Sequence, residues 1–239
     1  MKRSITDILQ NHQAEFHPVV SFRPEKDQLL LMDFTKNNKE ISEQLVNDTH
    51  QFAHYINGKL LSASVKFGIG GYNEYRELYS RSRVFDSGSP SAEPRRLHLG
   101  IDIWGKPYTA VMSPWDGIVH SFAFNNRFGD YGATLVISHN IEGVAFHTLY
   151  GHLSLNSIKN FREGENVRKG DVIGEFGIPM ENGQWPPHLH FQVIEDMDVP
   201  MAIGRKGDYP GVCSLSEKEE FLNNCPDPDL ILQMMKYAK

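Results

Sequence analysis

The stretch Pro187–Ile194, P-H-L-H-F-Q-V-I, indicates most clearly how this chain folds. Its β-branched and aromatic residues follow a pair of prolines, which predicts a strand that starts at His188. Side chains on a strand alternate between two faces, so His188 and His190 point the same way. Three apolar side chains point the other way and are expected in the core: Leu189, Phe191 and Val193.

Similar short runs precede this strand, separated by Gly, Asn, Asp and Pro. The predicted strands are Thr109–Met112, Gly117–Phe124, Ala133–His139, Val144–His152 and Asp171–Phe176. Asn140–Gly143 is predicted to form a hairpin turn between two of them. Closely spaced short strands favour a mainly β fold, with antiparallel sheets packed as a sandwich or a partly open barrel.

The two ends of the chain differ from this β region. Residues 1–83 predict an N-terminal α/β extension that is partly helical. Residues 84–203 form the β domain, and residues 204–239 a C-terminal loop with short helices that pack on the core. In the extension, Ser4 or Thr6 can cap a helix that contains Ile5, Ile8 and Leu9.

Three further elements are expected in the extension. Leu29–Phe34 is a candidate strand, and Ser42–Leu60 is a candidate helix with a stop signal at Asn57-Gly58. The glycine-rich run Gly68–Gly71 is expected to be a flexible connector. It lacks the strand-to-helix setting of a dinucleotide-binding loop.

Composition excludes several classes of function. Of 239 residues, 24 are Lys or Arg and 30 are Asp or Glu, a formal net charge of −6 that argues against a nucleic-acid partner. No apolar stretch is long enough to span a membrane, and the first residues lack the apolar core of a secretory signal, so a cytoplasmic location is expected. Cys213 and Cys225 are expected to be reduced thiols. The sequence gives no indication of oligomeric state.

Histidines and one aspartate provide the residues with metal-binding chemistry. His98 and Asp102, in H-L-G-I-D, share a face if this segment is extended, and Gly100 between them leaves room for a ligand or another strand. Zinc binds imidazole nitrogen and carboxylate oxygen, and catalytic sites use three protein ligands with the fourth position left to water. The combination of H-L-G-I-D, L-Y-G-H-L and P-H-L-H-F therefore indicates a hydrolytic zinc site.

The positions of the remaining aromatic and histidine residues on their strands predict whether each faces the site, the core or solvent. Alternation predicts that Tyr150 shares the face of His152 in L-Y-G-H-L, so that Tyr150 could line a substrate groove. Trp185, in W-P-P, either lines that groove or covers the core. His139 ends a strand at a turn and is expected to be exposed, and His147 is expected to be structural or exposed.

These motifs resemble the lysostaphin-like (LytM or β-lytic) zinc metallopeptidases over about two-fifths of the chain. H-L-G-I-D is similar to the family's H-x-G-x-D, L-Y-G-H-L to its Y-x-H-L, and P-H-L-H-F to its H-x-H. V-R-K-G-D-V-I-G-E-F-G (Val167–Gly177) resembles its V-x-x-G-x-x-I-G-x-x-G hairpin. The resemblance implies that Zn²⁺ is the cofactor, with ligands His98, Asp102 and His190, and that His152 and His188 are the catalytic pair.

A narrower resemblance points to a subgroup of these domains. That subgroup is often joined to phosphotransferase-like and class III aminotransferase domains. The segments that carry it are Gly68–Glu74, Asn182–Phe191, Gly207–Val212 and Cys225–Leu230.

The function implied is hydrolysis of a peptide or amide bond by a metal-activated water. No H-E-x-x-H helix is present, so His152 or His188 must act as general base. One alternative is a zinc hydrolase of a small amide or short peptide, and another is a non-catalytic, metal-binding regulatory module. Upstream, Asn73 or Glu74 in Y-N-E could occlude the zinc, or the segment could be an ordinary turn.

Overall fold

The computed structural model describes residues 4–86, 93–199 and 206–239. The strands are β1 Leu29–Leu31, β2 Phe67–Gly70, β3 Glu74–Tyr75, β4 Leu97–His98, β5 Ile101–Trp104, β6 Ala110–Met112, β7 Gly117–Asn125, β8 Gly132–Ile141, β9 Val144–Leu153, β10 Asn166–Val167, β11 Val172–Glu175, β12 His188–Ile194 and β13 Val212–Cys213. The α-helices are α1 Ile5–Asn11, α2 Glu43–Asn47, α3 Thr49–Ser62, α4 Leu155–Ile158, α5 Lys218–Asn224 and α6 Asp229–Leu232.

The largest sheet has eight strands in the order β1-β2-β5-β12-β9-β8-β7-β10. Strands β1 and β2 are parallel, and every other neighbouring pair in this sheet is antiparallel. Two smaller sheets pair β11 with β6, and β13 with β4 and β3. The prediction of a mainly β, antiparallel fold with short C-terminal helices is confirmed.

Strand β12 lies at the centre of the large sheet, between β5 and β9. Its apolar side chains at Leu189, Phe191 and Val193 are fully buried in the main core cluster. Helix α1 packs into the same cluster through Ile5, Ile8 and Leu9, and the Ser4 side chain caps this helix by accepting from the amide of Thr6. Alternation along β12 therefore separates an apolar face from the histidine face, as predicted.

The histidine face of β12 is also covered, because both ends of the chain pack beside it. On one side, Phe52 of α3 lies in a cluster with Trp104 and Trp185. On the other side, a cluster joins Leu149 and Ile194 to C-terminal residues that include Phe221 and the free cysteines Cys213 and Cys225. A functional site on this face is consequently enclosed from two directions, and the expected thiol state of both cysteines is confirmed.

Several local predictions hold and others need correction. The turn predicted at Asn140–Gly143 is present, with Glu142 and Gly143 joining β8 to β9 at φ angles of 52° and 84°, which suit a two-residue hairpin loop. The predicted strand at Leu29–Phe34 is shorter and ends at Leu31, and helix α3 continues through Asn57-Gly58 to Ser62. The predicted stop signal is overridden because α3 buries Phe52, Ile56 and Leu60 along one face.

The glycine-rich run at Gly68–Gly71 is largely a strand and not a flexible connector. Strand β2 pairs with β1 and β5, and Gly70 lies opposite Asp102. A Cβ atom at Gly70 would lie 2.6 Å from the carbonyl oxygen of Met32, so glycine is required by the close approach of another backbone.

The proposed division of the chain at residues 83 and 203 stays a prediction. Strands β1 and β2, from the first 83 residues, belong to the same sheet as β12, and residue 203 lies outside the described residues. The longest described helix, α3, has 14 residues, and none of the described helices combines the length and apolar character needed to cross a membrane.

Candidate metal centre

Three side chains from different strands converge into one group that could hold a metal ion: His98, Asp102 and His190. Asp102 on β5 is the register partner of His190 on β12, and His98 lies at the end of β4. His98 Nε2 is 2.9 Å from His190 Nδ1, and Asp102 Oδ1 is 3.3 Å from each of these nitrogens. Three possible ligand atoms, each from a different strand, therefore face one another.

The hydrogen bonds on the outer side of the two imidazoles fix which nitrogens are bare. His98 Nδ1 lies 2.9 Å from the carbonyl oxygen of Gly71, which can only accept, so this nitrogen carries the proton. Gln192 donates through Nε2 to Pro210 O, so its Oε1 accepts from His190 Nε2 at 2.9 Å. The neutral rings therefore turn two lone pairs, on His98 Nε2 and His190 Nδ1, toward each other.

The carboxylate adds a third unshared lone pair to this centre. Asp102 is 3% exposed, and its Oδ1 has no hydrogen-bond partner among the described residues. Burial, together with the positive charge of Arg76, lowers the pKa of His98 to about 3. A neutral imidazole is the form that binds a metal, so the three atoms make a donor set suited to a cation.

Two glycines make the close approach of these side chains feasible. A Cβ atom at Gly100 would lie 2.5 Å from His190 Cε1. Gly71 has a φ of +108°, and a Cβ atom there would lie 2.9 Å from His98 Nδ1. The room expected at Gly100 is therefore occupied by His190.

His152 and His188 lie beside this group, with ring centroids 4.1 Å apart. His152 Nδ1 donates to Asn182 O at 2.8 Å, and His188 Nδ1 donates to Pro186 O at 2.7 Å. These backbone carbonyls fix both neutral rings in the tautomer that leaves Nε2 bare. His188 Nε2 is 4.0 Å from Asp102 Oδ1.

Burial disfavours the charged form of both imidazoles. It lowers the pKa of His188 to about 4. It also lowers the pKa of His152 well below its ordinary value, and the neighbouring His188 acts in the same direction. Both rings are therefore neutral near pH 7 in the metal-free chain and can accept a proton.

Alternation along β9 does not place Tyr150 in the site. Tyr150 is opposite Phe191 in the register and fully buried in the main core cluster, while Gly151 is opposite His190. His152 reaches the histidine face because its φ is +62°, which breaks the alternation of the strand. The prediction that Tyr150 lines a substrate groove is corrected on this ground.

Two tryptophans border the pair of imidazoles. Trp185 is 6.1 Å from the His152 ring and 6.4 Å from the His188 ring, and it lines the cavity above the site. Trp104 stacks on His188 with a centroid distance of 4.0 Å and was missed by the sequence analysis. Its position two residues after Asp102 on one strand would have been enough to place both on one face.

The upstream segment brings a different residue to the site than the sequence suggested. Asn73 donates its amide to His98 O, and Glu74 accepts from the amide of Phe34 and from Arg76 Nε, so neither joins the three-residue group. Arg76 instead donates to Asp102 Oδ2. Nothing in the local sequence around Arg76 signals this contact, because its partner lies 26 residues away.

The other histidines on the sheet lie apart from the metal group. His139 is 3% exposed and not exposed as expected, because its Nδ1 donates to Asp116 O and its Nε2 lies 2.7 Å from Thr148 Oγ1. His147 is half-buried, with its ring 5.2 Å from that of His120.

Known proteins are similar in sequence to part of this chain. Residues 96–201 match Peptidase family M23. An uncharacterized metalloprotease of Haemophilus influenzae is 30% identical over 143 residues, which cover 58% of this chain and 27% of that protein. An L-Ala–D-Glu endopeptidase of Bacillus subtilis is 30% identical over 127 residues, which cover 51% of this chain and 35% of that protein. The chain thus spans about a third or less of the length of these two relatives.

A similar solved structure is a zinc-containing peptidase from Vibrio cholerae, 28% identical, with a TM-score of 0.34 over 46% of this chain and 30% of that chain. The matched residues 96–201 begin just before His98 and end after His190, so the family match encloses the metal group together with His152 and His188. This part of the chain is therefore similar to Peptidase family M23 in the region that carries the site.

Proposed function

We propose that the protein is a zinc-dependent metallopeptidase that hydrolyses a peptide or amide bond. In this proposal His98, Asp102 and His190 hold the metal, and His152 and His188 transfer protons. The observation that carries it is the convergence of two bare imidazole nitrogens and one carboxylate oxygen without a partner, beside two more imidazoles with bare nitrogens.

The donor set fits zinc on chemical grounds. Two imidazole nitrogens and one carboxylate oxygen are common ligands of catalytic zinc, and they leave one coordination position open. When bound, the ion would supply Lewis acidity, which makes water a nucleophile near neutral pH and polarises a carbonyl group. The hydrogen bonds of His98 to Gly71 O and of His190 to Gln192 would orient the ligands, as outer partners do in metal sites.

Proton transfer falls to the neighbouring imidazoles. The described residues that line the cavity include no glutamate, so we assign the general base to His152 or His188. The Nδ1 atom of each ring donates to a backbone carbonyl oxygen, so the Nε2 atom on the opposite side of each ring is free to accept a proton. One ring would take a proton from the attacking water while the other assists the carbonyl oxygen or the leaving amine.

Burial favours a second candidate with the same chemistry, a hydrolase of a small amide or short peptide. The five side chains of the centre are each 6% exposed or less, and Tyr79 and Phe85 line the cavity from the N-terminal side. An enclosed centre of this kind admits a short chain more readily than a folded substrate.

The test compares substrates on one preparation. The protein is stripped with a chelator, reloaded with zinc, and incubated with a peptide library, small amides and an L-Ala–D-Glu peptide, the bond named for the Bacillus relative. We expect zinc-dependent cleavage with one equivalent of bound metal, and none in His188→Ala. Cleavage of short members only would select the second candidate. Bound zinc without any cleavage would favour a regulatory module, and absence of bound zinc would overturn the proposal.

We also propose that the domain belongs to the subgroup associated with phosphotransferase-like and aminotransferase domains. The segments that carry this narrower resemblance meet near the site. Tyr72 donates to Cys225 O at 2.6 Å, and a Cβ atom at Gly211 would lie 3.2 Å from His190 Cε1. Residues distant in the sequence thus support a common set of contacts around the metal group.

A further inference from the structure

Arg76 lies at the rear of the metal group and is 2% exposed. Its Nη1 donates to Asp102 Oδ2 at 2.5 Å, and its Nε donates to Glu74 Oε2 at 2.6 Å. Tyr79 Oη lies 3.2 Å from the same Nη1, and Gly70 O lies 3.4 Å from Nη2. This guanidinium is therefore bonded on three sides in the interior of the protein.

The two oxygens of Asp102 consequently have different surroundings. Oδ2 accepts from Arg76, while Oδ1 faces the bare nitrogens of His98 and His190 and has no hydrogen-bond partner among the described residues. A carboxylate that binds a metal through both oxygens would have to give up the bond to Arg76.

We propose that Arg76 is a positioning residue that restricts Asp102 to one metal-facing oxygen and so keeps the coordination position for water free. This inference rests on the proposed zinc site. It adds that coordination through a single oxygen is imposed by a residue outside the ligand set and is not a property of the three ligands themselves.

The surroundings of Arg76 make it suited to this task. A guanidinium is planar and always charged, so its donors have fixed directions. The Phe34 ring lies 5.2 Å from its central carbon, and a Cβ atom at Gly71 would overlap with Nη2. Packed between these groups, Arg76 cannot withdraw from Asp102 without displacing β2 or β3.

Glu74 sets the charge of the arrangement. Arg76 alone would cancel the negative charge of Asp102 and reduce its attraction for a cation. The carboxylate of Glu74, 11% exposed in its side chain, neutralises Arg76 in turn, so the three groups together retain one negative charge. The pair thus holds Asp102 in place at little electrostatic cost to metal binding.

The experiment measures coordination and affinity separately. Arg76→Met/Glu74→Leu removes both charges of the Arg76–Glu74 pair, keeps the net charge of the three groups and frees Asp102 Oδ2. Glu74→Gln removes one charge but keeps an acceptor for Arg76 Nε. Zinc affinity is measured by competition with a chromophoric chelator. Coordination number is read from the visible absorption of the cobalt-substituted protein, which weakens when a fifth ligand binds.

For the double variant we expect weaker cobalt absorption and a zinc dissociation constant raised about 10–100-fold, the usual effect of removing an outer partner of a ligand. For Glu74→Gln we expect reduced affinity with an unchanged cobalt spectrum, since Arg76 still occupies Oδ2. Should the double variant not fold, Arg76→Lys replaces it, with an intermediate spectrum expected because an ammonium makes a less directed bond.

A folded double variant with the wild-type spectrum and zinc affinity would overturn this inference and leave the proposed function intact. A wild-type protein that binds neither zinc nor cobalt would overturn the proposed function itself. The two failures are therefore distinguishable in one series of measurements.

Discussion

Buried imidazoles lie in two groups, the metal group and the group around His139, and these differ in how their nitrogens are satisfied. At the metal centre, His98 and His190 turn bare nitrogens toward each other and toward Asp102 Oδ1. At the other end of β8 and β9, His139 donates to Asp116 O and contacts Thr148 Oγ1, so both of its nitrogens have partners.

This difference shows that a buried histidine is not by itself a sign of a metal site. His139 is as buried as His190, yet its hydrogen bonds are complete within the protein. The metal group is distinguished by lone pairs that converge without a proton between them, an arrangement that a bound cation would stabilise. The predictions below test whether the two groups differ in function as they differ in hydrogen bonding.

The largest effect is expected for His190→Ala. It removes one of three donor atoms and leaves His98 Nε2 and Asp102 Oδ1 without a common ion. We expect loss of stoichiometric zinc and of hydrolysis. Metal content after dialysis, measured by mass spectrometry, checks this, with His139→Gln as the matched control that keeps one equivalent. Equal zinc content in both variants would show that His190 contributes no more to metal binding than His139 does.

His152→Ala should separate metal binding from chemistry. His152 is 6.3 Å from the His190 ring by centroid and lies outside the three-residue group. We expect zinc to be retained while kcat falls about 10²–10⁴-fold, the usual contribution of a general acid or base. Zinc content and steady-state kinetics on one preparation provide the measurement. Loss of zinc would assign His152 to the metal instead.

The sequence allowed the histidine face to be predicted wherever a strand is regular. His188 and His190 on β12, and His98 with Asp102 across Gly100, were placed by alternation and by motif. The expectation that Tyr150 shares the face of His152 was wrong, because the positive φ of His152 reverses the alternation at the end of β9. A single backbone angle of this kind has no signature in a lone sequence, since most residues with positive φ are glycine.

Long-range contacts were the other part that the sequence did not predict. Arg76 was overlooked because its bond to Asp102 depends on β2 pairing with β5. That pairing was itself missed, since glycines at 68, 70 and 71 favour a loop by propensity. The requirement for glycine came from the Met32 backbone, which approaches from a different element.

The stability of the protein in acid should depend on the pKa of His139. Burial lowers that pKa to about 4, below the ordinary value near 6.5. The unfolded chain therefore binds the proton first, so this contribution to stability is complete above about pH 6.5 and is lost as the pH falls toward 4, by about 3 kcal/mol in total.

In His139→Gln we expect the free energy of unfolding to fall less steeply between these pH values, by about 1.4 kcal/mol per pH unit. Urea unfolding of the metal-free protein at several pH values measures the slope. His50→Gln, at an exposed position of α3, is the control and should leave it unchanged. An unaltered slope in His139→Gln would mean that the His139 ring is not held neutral by its surroundings.

The smallest effect is expected for Tyr150→Phe, which sharpens the comparison at the boundary between the two groups. Tyr150 Oη lies 2.9 Å from Thr148 Oγ1, so this side chain belongs with His139 and not with the metal centre. Loss of that hydrogen bond should cost about 1 kcal/mol of stability and leave kcat/KM unchanged. Trp185→Phe is the matched variant, because Trp185 lies against both His152 and His188, and it should lower kcat/KM. If Tyr150→Phe reduced activity as much as Trp185→Phe, the core side of β9 would have to contribute to catalysis, and the separation of the two groups would fail.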